Sequence, residues 1–306
     1  MRFDGGNAGL EGNGAALRWA DLAGCGDDNS EYATITDVTG AFAQLNLQGP
    51  FSRSILEHAI CESEDFDDSA SRQILSNESF PFRAVKELYL GFAKVIVTRI
   101  TYVGELGYEI FVPAEQATHV LELLHNAAKK VGIEKLDKSL DSDGGKDSGK
   151  DCMGKASWAQ YMAEKGVPYA GLKALGSLRM EKGYRDYGHD IDNTDSLAEA
   201  GLSFTADLNK VTLKEANATS SAFNGSDSVV AAKAAGVKKL SRRLVQVLLT
   251  QSDGGDKDRD TGFMFHGEVL MRDGQVVGDI RAASYGHSLG GAVGLAMVSE
   301  LSKIEN

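Results

Sequence analysis

The sequence predicts an α+β protein in which a mixed domain over residues 33–225 precedes a small antiparallel β domain over residues 226–306. Three observations lead to this prediction. Helical and strand-like hydrophobic patterns follow one another through the first domain. A stretch rich in Ala, Ser, Asn and Lys over residues 209–238 is typical of a linker. From residue 242 onwards only short β-like runs follow, which favours a small barrel or sandwich.

The first domain opens with two candidate strands and a helix. Residues 33–38 alternate Ile with Thr, and residues 42–47 form a second strand-like run. The Gly49-Pro50 pair then breaks the chain, and residues 52–61 have helical spacing. Residues 1–32 are rich in Gly and acidic side chains, so we expect a partial and poorly ordered front end.

The densest β signal lies in the middle of the first domain. Residues 86–113 are rich in Val, Ile, Tyr and Phe, with Gly at the expected turns. Residues 115–131 then form an amphipathic helix, with Gly132 at its C-cap position. Residues 137–155 contain few apolar side chains and are expected to form a solvated loop, whereas residues 172–184 return to helical spacing.

The second domain is predicted from four short β runs. A hairpin turn is indicated at Asp273-Gly274, because this dipeptide favours the backbone conformation of a two-residue β-turn. The runs cover residues 244–249, 267–271, 276–280 and 292–298.

The charge of the chain excludes several partners. The formal net charge is −12 and the sequence pI is about 5.0, which argues against nucleic acid and against an anionic membrane surface. No apolar run reaches the ~18 residues that a membrane-spanning helix needs.

The three cysteines lie at wide and irregular spacing, and the acidic residues between 253 and 260 lack the spacing of an EF-hand. No metal site and no disulfide framework are therefore predicted.

Two motifs resemble catalytic loops but lack the partners that the chemistry needs. Residues 286–290 match the nucleophile elbow G-x-S-x-G of lipases, yet no His follows Ser288 in the chain. A Gly-rich turn between two strands is the favoured interpretation. Residues 144–150 approach a phosphate-binding loop, but Asp151 stands where Ser or Thr would bind magnesium, so a solvated loop is favoured.

One segment of the β region has the chemistry of a ligand site. Tyr102 and Glu109 are separated by Gly104 and Gly107, so a strand–turn–strand would bring a phenol and a carboxylate towards one pocket. A carboxylate can accept two parallel hydrogen bonds from a ring with adjacent N–H donors, as a pterin has, and an aromatic ring supplies a flat wall. Alternatively, Tyr102 is core packing and Glu109 is a surface residue of a strand.

Three segments read in order resemble the folate-binding aminomethyltransferase family, to which the glycine cleavage T-protein belongs. They are Ile35–Thr39 with Leu45–Pro50, then Thr101–Glu109, then Leu175–Tyr184 with Tyr187–Ile191. The sequence is most similar to the C-terminal domains of sarcosine and dimethylglycine dehydrogenases. This resemblance covers most of residues 33–306, apart from the linker and an insertion at residues 137–168.

The resemblance implies a fold, a cofactor and three contacts. The fold is a folate-binding domain followed by a small antiparallel β-barrel, and the cofactor is tetrahydrofolate. Tyr102, Glu109 and Tyr184 stand at the positions that match folate contacts of the family. The alternative for Tyr184 is an aromatic residue at a helix end that covers the core. Arg179 and Glu181 are expected to be structural, through an ion pair or hydrogen bonds at a helix end. The motif around His189 shapes a turn in the family, so no catalytic role is assigned to it.

The sequence departs from the family in two places. A family arginine is replaced by Leu175, a departure shared with the sarcosine and dimethylglycine dehydrogenase branch. The aspartate that the family carries near the front of the fold has no convincing match. No G-x-G-x-x-G opens a βαβ unit, so a flavin domain is not expected within this chain. We therefore expect a fragment of a longer protein, and no catalytic residue is assigned.

The expected function is a tetrahydrofolate-binding module for one-carbon transfer. Its expected partners are folate, as a small molecule, and a flavin dehydrogenase domain or partner protein. The resemblance places it in the mitochondrial matrix, although no presequence is visible; the other location considered is the cytoplasm. An alternative is a non-catalytic regulatory protein resembling the pyruvate dehydrogenase phosphatase regulatory subunit, so whether the chain is an enzyme is left open.

Overall fold

The computed structural model describes residues 36–61, 73–141, 155–209, 225–236, 239–249 and 262–299. The described chain divides into two compact units, one ending at Ala170 and the other beginning at Gly171. The boundary near residue 225 was inferred from composition, and it stays a prediction. No helix in the described part of the chain is both long and apolar enough to cross a membrane.

In the described residues the first unit contains a four-stranded antiparallel sheet and three helices that are described from end to end. The sheet order is β1-β4-β3-β2. The strands are β1 (Phe42–Gln48), β2 (Val85–Leu90), β3 (Ala93–Thr98) and β4 (Gly107–Pro113). The helices are α1 (Ser52–Cys61), α2 (Ala117–Asp141) and α3 (Lys155–Lys165).

These elements confirm most of the sequence pattern in this unit. The strand at 42–47, the helix at 52–61 and the β region at 86–113 are all present. The strand expected at 33–38 is wrong in its described part, because residues 36–38 are irregular and lead into a 3₁₀ turn at Thr39–Ala41. Its first three residues lie outside the described chain.

One face of the sheet carries the core of the first unit. Alternate residues of β4 are buried, among them Tyr108, Ile110 and Val112, and they belong to one cluster with apolar residues of α1 and α2 such as Leu56 and Val120. The period of two in a strand places the residues between them on the opposite face. Glu109 of β4 is therefore directed away from this core.

The long helix α2 runs through Gly132, so the predicted C-cap at that residue is wrong. A Cβ atom at Gly132 would lie 2.7 Å from the carbonyl oxygen of Ala159 and 2.9 Å from the Cα of Ala163. Both residues belong to α3, a helix that the sequence pattern did not reveal. Glycine at this position therefore allows the backbones of α2 and α3 to approach closely.

We expect Gly132→Ala to destabilise the first unit, by roughly 1–3 kcal/mol, because the added methyl group would meet backbone atoms that cannot rotate away. Gly176→Ala is the matched control: Gly176 is also helical, but its Cβ would meet no atom within 4 Å. Alanine there should be neutral or stabilising by up to ~1 kcal/mol. Chemical unfolding of both variants measures the difference, and equal stabilities would contradict the proposed packing.

The described part of the second unit contains another four-stranded antiparallel sheet and two helices that are described from end to end. Its strand order is β5-β8-β7-β6. The strands are β5 (Arg242–Leu248), β6 (Val269–Arg272), β7 (Gln275–Gly286) and β8 (Gly291–Ser299). The helices are α4 (Leu172–Glu181) and α5 (Ser226–Ala235). All four predicted β runs of this region are confirmed, but α5 lies where a linker was expected.

The hairpin between β6 and β7 is also confirmed. Asp273 and Gly274 both have positive φ angles, 51° and 74°, as a type I′ turn requires. Strand β8 lies between two neighbours, and eight of its nine residues are buried. Its side chains enter two apolar clusters, one with Met180 of α4 and the other with Ile280 of β7.

Candidate functional site

Glu109 occupies a defined position on the face of the first sheet that is turned away from the core. It is the third residue of β4 and is half-buried, whereas Tyr108 and Ile110 on either side are fully buried. Its cross-strand neighbours are Asn46 on β1 and Thr98 on β3. Directly opposed residues of antiparallel strands share a face, so these three side chains form a polar row across the sheet.

The backbone around Glu109 is held by contacts to α1. The carbonyl oxygen of Leu106 accepts hydrogen bonds from the backbone N–H of Gly49, at 2.7 Å, and from the hydroxyl of Ser52, at 3.2 Å. The phenol of Tyr108 accepts a hydrogen bond from Nε of Arg53 at 3.3 Å. Because Leu106 and Tyr108, which precede Glu109 in the chain, are both anchored, the carboxylate of Glu109 is presented from a rigid element.

Tyr102 lies in the loop that joins β3 to β4 and is half-buried. The loop leaves β3 at Thr98, the residue that pairs with Glu109, so Tyr102 and Glu109 lie at the same end of the sheet. The chain turns at Gly104, whose φ of 78° lies in the left-handed region that favours glycine. The expected turn between two strands is present, but Tyr102 lies in the loop and not on a strand, and a pocket shared with Glu109 stays a prediction.

Tyr184 follows α4 in the second unit, so it does not belong to the same unit as Tyr102 and Glu109. Arg179 holds both the N–H group and the carbonyl group of the Tyr184 backbone. The N–H of Tyr184 donates to the carbonyl of Arg179, and the Nη1 of Arg179 donates to the carbonyl of Tyr184, each at 3.0 Å. The side chain of Tyr184 is carried by a closed turn at the end of the helix.

A buried ion pair completes this turn. Arg179 Nη1 lies 2.6 Å from Asp190 Oδ2, and Nη2 lies 3.3 Å from Oδ1. The side chains are 9% and 0% exposed, respectively. Asp190 Oδ2 also accepts the backbone N–H of Asp186 at 2.8 Å. The structural role expected for Arg179 is thus confirmed, and the pair clamps the segment from Tyr184 to Asp190.

The other candidate residues of this segment also have structural contacts. Glu181 Oε1 accepts the backbone N–H of Ser288 at 2.9 Å, which agrees with its expected structural role. His189 is largely exposed, and its Nδ1 lies 3.0 Å from Asp186 Oδ2 across one turn. Within the described ranges no three His, Cys, Asp or Glu side chains are grouped to hold a metal ion.

Ser288 lies in the turn between β7 and β8. Gly286 and Gly291 pair across the ladder, so residues 287–290 form a hairpin loop. A nucleophile elbow needs a strand followed by a helix, whereas strand β8 follows here. The Gly-rich turn predicted from the sequence is confirmed. The motif at 144–150 and the acidic cluster at 253–260 lie outside the described residues.

We expect no covalent labelling of Ser288 by a fluorophosphonate probe, because its turn lacks the strand-to-helix geometry of a nucleophile elbow. The measurement is mass spectrometry of the probe-treated chain, with a serine hydrolase as positive control. An adduct on Ser288 that is lost in Ser288→Ala would overturn this prediction.

Comparison with known proteins shows the family. The GCVT N-terminal domain family matches residues 13–137 and 151–210, and the glycine cleavage T-protein C-terminal barrel domain matches residues 242–305. Because the first match covers more than half of the chain, this chain belongs to the GCVT family. The expected order, an aminomethyltransferase-like domain followed by a C-terminal barrel domain, is confirmed.

The curated relatives include an oxidase, dehydrogenases and aminomethyltransferases. The chain is 30% identical to 4-methylaminobutanoate oxidase (formaldehyde-forming) of Paenarthrobacter nicotinovorans, covering 86% of this chain and 24% of that protein. It is 28% identical to mitochondrial sarcosine dehydrogenase of Homo sapiens, covering 94% and 24%. It is 27% identical to an aminomethyltransferase of Clostridium botulinum, covering 87% and 54%. The chain therefore spans about a quarter of the first two relatives.

A solved structure is also similar. It is the glycine cleavage system aminomethyltransferase T from Bartonella henselae, with a TM-score of 0.37 and 18% identity, covering 86% of this chain and 78% of that one.

The match to the N-terminal domain family omits residues 138–150 and resumes at 151. It thus includes α3, which lies inside the insertion expected at 137–168.

Proposed function

We propose that the chain is a tetrahydrofolate-binding module for one-carbon transfer and is a piece of a protein like sarcosine or dimethylglycine dehydrogenase. The observation that carries this proposal is the position of Glu109. It stands on an anchored strand, on the face away from the core, with Asn46 and Thr98 beside it. A pterin ring offers adjacent N–H donors, and a carboxylate fixed in this way can accept two of them in parallel.

Tyr102 is proposed to contact folate beside Glu109, and Tyr184 is proposed as a separate candidate from the family resemblance. Tyr102 lies at the same end of the sheet as Glu109 and would supply a flat wall beside the ring. Tyr184 lies in a turn that Arg179 closes. Neither tyrosine needs to react, because binding and orientation are the tasks that this arrangement supports.

The contribution to the reaction would be positional. A flavin in a separate domain or partner would oxidise the methylamine, and tetrahydrofolate held by this chain would accept the one-carbon unit. Holding the folate amine near this product raises its effective concentration, which is worth up to ~7–11 kcal/mol in well-oriented systems. Several relatives carry the words mitochondrial or formaldehyde-forming in their names, which supports this role and a mitochondrial matrix location.

Thermal unfolding with and without tetrahydrofolate tests the proposal. A ligand that binds only the folded chain stabilises it by ~2.7 kcal/mol at a hundredfold excess over its Kd, so the unfolding temperature should rise with folate concentration. 4-Aminobenzoylglutamate, which lacks the pterin, is the control ligand and should have a much smaller effect. An unfolding temperature that does not respond to tetrahydrofolate would contradict folate binding and would favour a non-catalytic regulatory protein.

A further inference from the structure

The second unit contains a cavity of about 240 Å³ that none of the folate contacts uses. Its walls come from the loop after Asp190, the end of α5 and the start of β5. Four apolar residues contribute to the lining: Ala198, Phe204, Ala232 and Leu240. Phe204 is 82% exposed, so the cavity is open to solvent on this side. The volume is below the ~300–1,000 Å³ of drug-sized ligand sites, so it suits a small ligand.

Positive charge collects at this cavity. Lys233 and Arg243 contribute to its lining, and the described lining residues include no carboxylate. Arg185 lies behind the wall, since a Cβ on the lining residue Gly201 would be 3.1 Å from Arg185 Nη2. The whole chain carries a net charge of −12, so this cationic cluster runs against the overall composition.

The two guanidinium groups are close enough to affect each other. Burial lowers the pKa of Arg185, and the charge of Arg243 lowers it further, while Asp190 opposes the shift. Arg185 Nε donates to the carbonyl of Ala200 at 3.0 Å, which holds this side chain in place. An anion beside Arg243 would relieve the repulsion between these like charges.

We propose that this cavity binds a small aromatic carboxylate. Arg243 and Lys233 hold the carboxylate through charge-assisted hydrogen bonds, and the aromatic ring lies against Phe204, Ala232 and Leu240. The apolar lining distinguishes this ligand from a bare inorganic anion. Two kinds of ligand would carry an aromatic ring and a carboxylate: a separate aromatic acid, or the aminobenzoyl-glutamate half of a folate. The inference does not depend on the proposed folate function.

Benzoate is the probe, and calorimetry with saturation-transfer NMR is the measurement. We expect saturable millimolar binding of benzoate by the 306-residue chain. Benzylamine, which has the opposite charge, and inorganic phosphate, which has no ring, should bind much more weakly. Competition by tetrahydrofolate would assign the site to the carboxylate half of folate, and absence of competition would assign it to a separate acid.

Two variants and one control locate the binding. Arg243→Gln should weaken benzoate binding by roughly fivefold or more, because it removes one charged donor. Ala232→Leu suits the helix and should exclude the ring, which keeps the test available if Arg243→Gln does not fold. The exposed Arg272 on β6 is not part of the lining, so Arg272→Gln should bind as the parent chain does.

The outcomes separate clearly. The proposal is overturned if the folded parent chain shows no saturable benzoate binding, or if benzylamine or phosphate binds as tightly as benzoate. It is equally overturned if folded Arg243→Gln and Ala232→Leu both retain full affinity. Since no folate is needed for the main titration, these results are independent of whether Glu109 binds a pterin.

Discussion

Asp190→Asn should lower the free energy of unfolding by about 3–5 kcal/mol, because it leaves the buried Arg179 charge without its counterion. The pair is held by two hydrogen bonds of 2.6 and 3.3 Å, and neither side chain is appreciably exposed. A loss of this size exceeds what most single substitutions cause. Urea unfolding of the parent chain and the variant measures it.

An exposed ion pair provides the matched control. Lys94 and Glu87 lie 2.8 Å apart, but both are more than half exposed, so solvent screens their interaction. Lys94→Gln should therefore change the stability by less than ~1 kcal/mol. If Asp190→Asn is as harmless as Lys94→Gln, the Arg179–Asp190 pair does not clamp the turn as the geometry indicates.

The double substitution Arg179→Met with Asp190→Leu separates the clamp from the charge. Replacing both partners removes the uncompensated charge, so the double variant should be more stable than Asp190→Asn. It nevertheless lacks the hydrogen bond from Arg179 to the Tyr184 carbonyl. If the clamp also positions Tyr184 for folate, this variant should fold but bind tetrahydrofolate more weakly than the parent chain.

Glu109→Gln should reduce the affinity for tetrahydrofolate by about tenfold or more, since ~1.4 kcal/mol corresponds to one decade in Kd. Glutamine keeps the shape of the side chain but sets an N–H donor against a ring N–H donor. Each charge-assisted hydrogen bond that a carboxylate accepts is worth ~1.5–3 kcal/mol. Tyr102→Phe should cost less, because the aromatic wall is kept. Isothermal calorimetry measures both variants.

Glu105→Gln is the control for this experiment. Glu105 lies in the same β3–β4 loop as Tyr102 and is exposed, so its loss removes the same charge without touching the row on the sheet. Its affinity for tetrahydrofolate should stay close to that of the parent chain. Equal binding by Glu109→Gln and the parent chain would show that the pterin is held elsewhere.

The position of Glu109 on its strand could be predicted because it follows from local alternation. A strand with apolar residues at every second position must turn the others to the opposite face. Its neighbours Asn46 and Thr98 could not be found in this way. They meet Glu109 through pairing across the sheet, and the register between distant strands is not contained in any single segment.

Helix boundaries were predicted less well where packing outweighs local preference. Gly132 favours a helix end by itself, but its lack of a side chain is what allows α3 to pack against α2. Helix α5 was missed because its Ala-, Ser- and Lys-rich sequence has little contrast between an apolar and a polar face. The Arg179–Asp190 pair was anticipated only as an unspecified ion pair, since its partner lies 11 positions away in an irregular segment.

Calorimetric titration of the 306-residue chain with reduced tetrahydrofolate is the most direct test of folate binding. Saturable heat is expected with tetrahydrofolate and also with a tetrahydropterin that lacks the aminobenzoyl-glutamate half, because Glu109 is proposed to hold the ring. Thermal unfolding of the same sample establishes that the chain is folded. A folded chain that gives no saturable heat with tetrahydrofolate would contradict its proposed role as a folate-binding module.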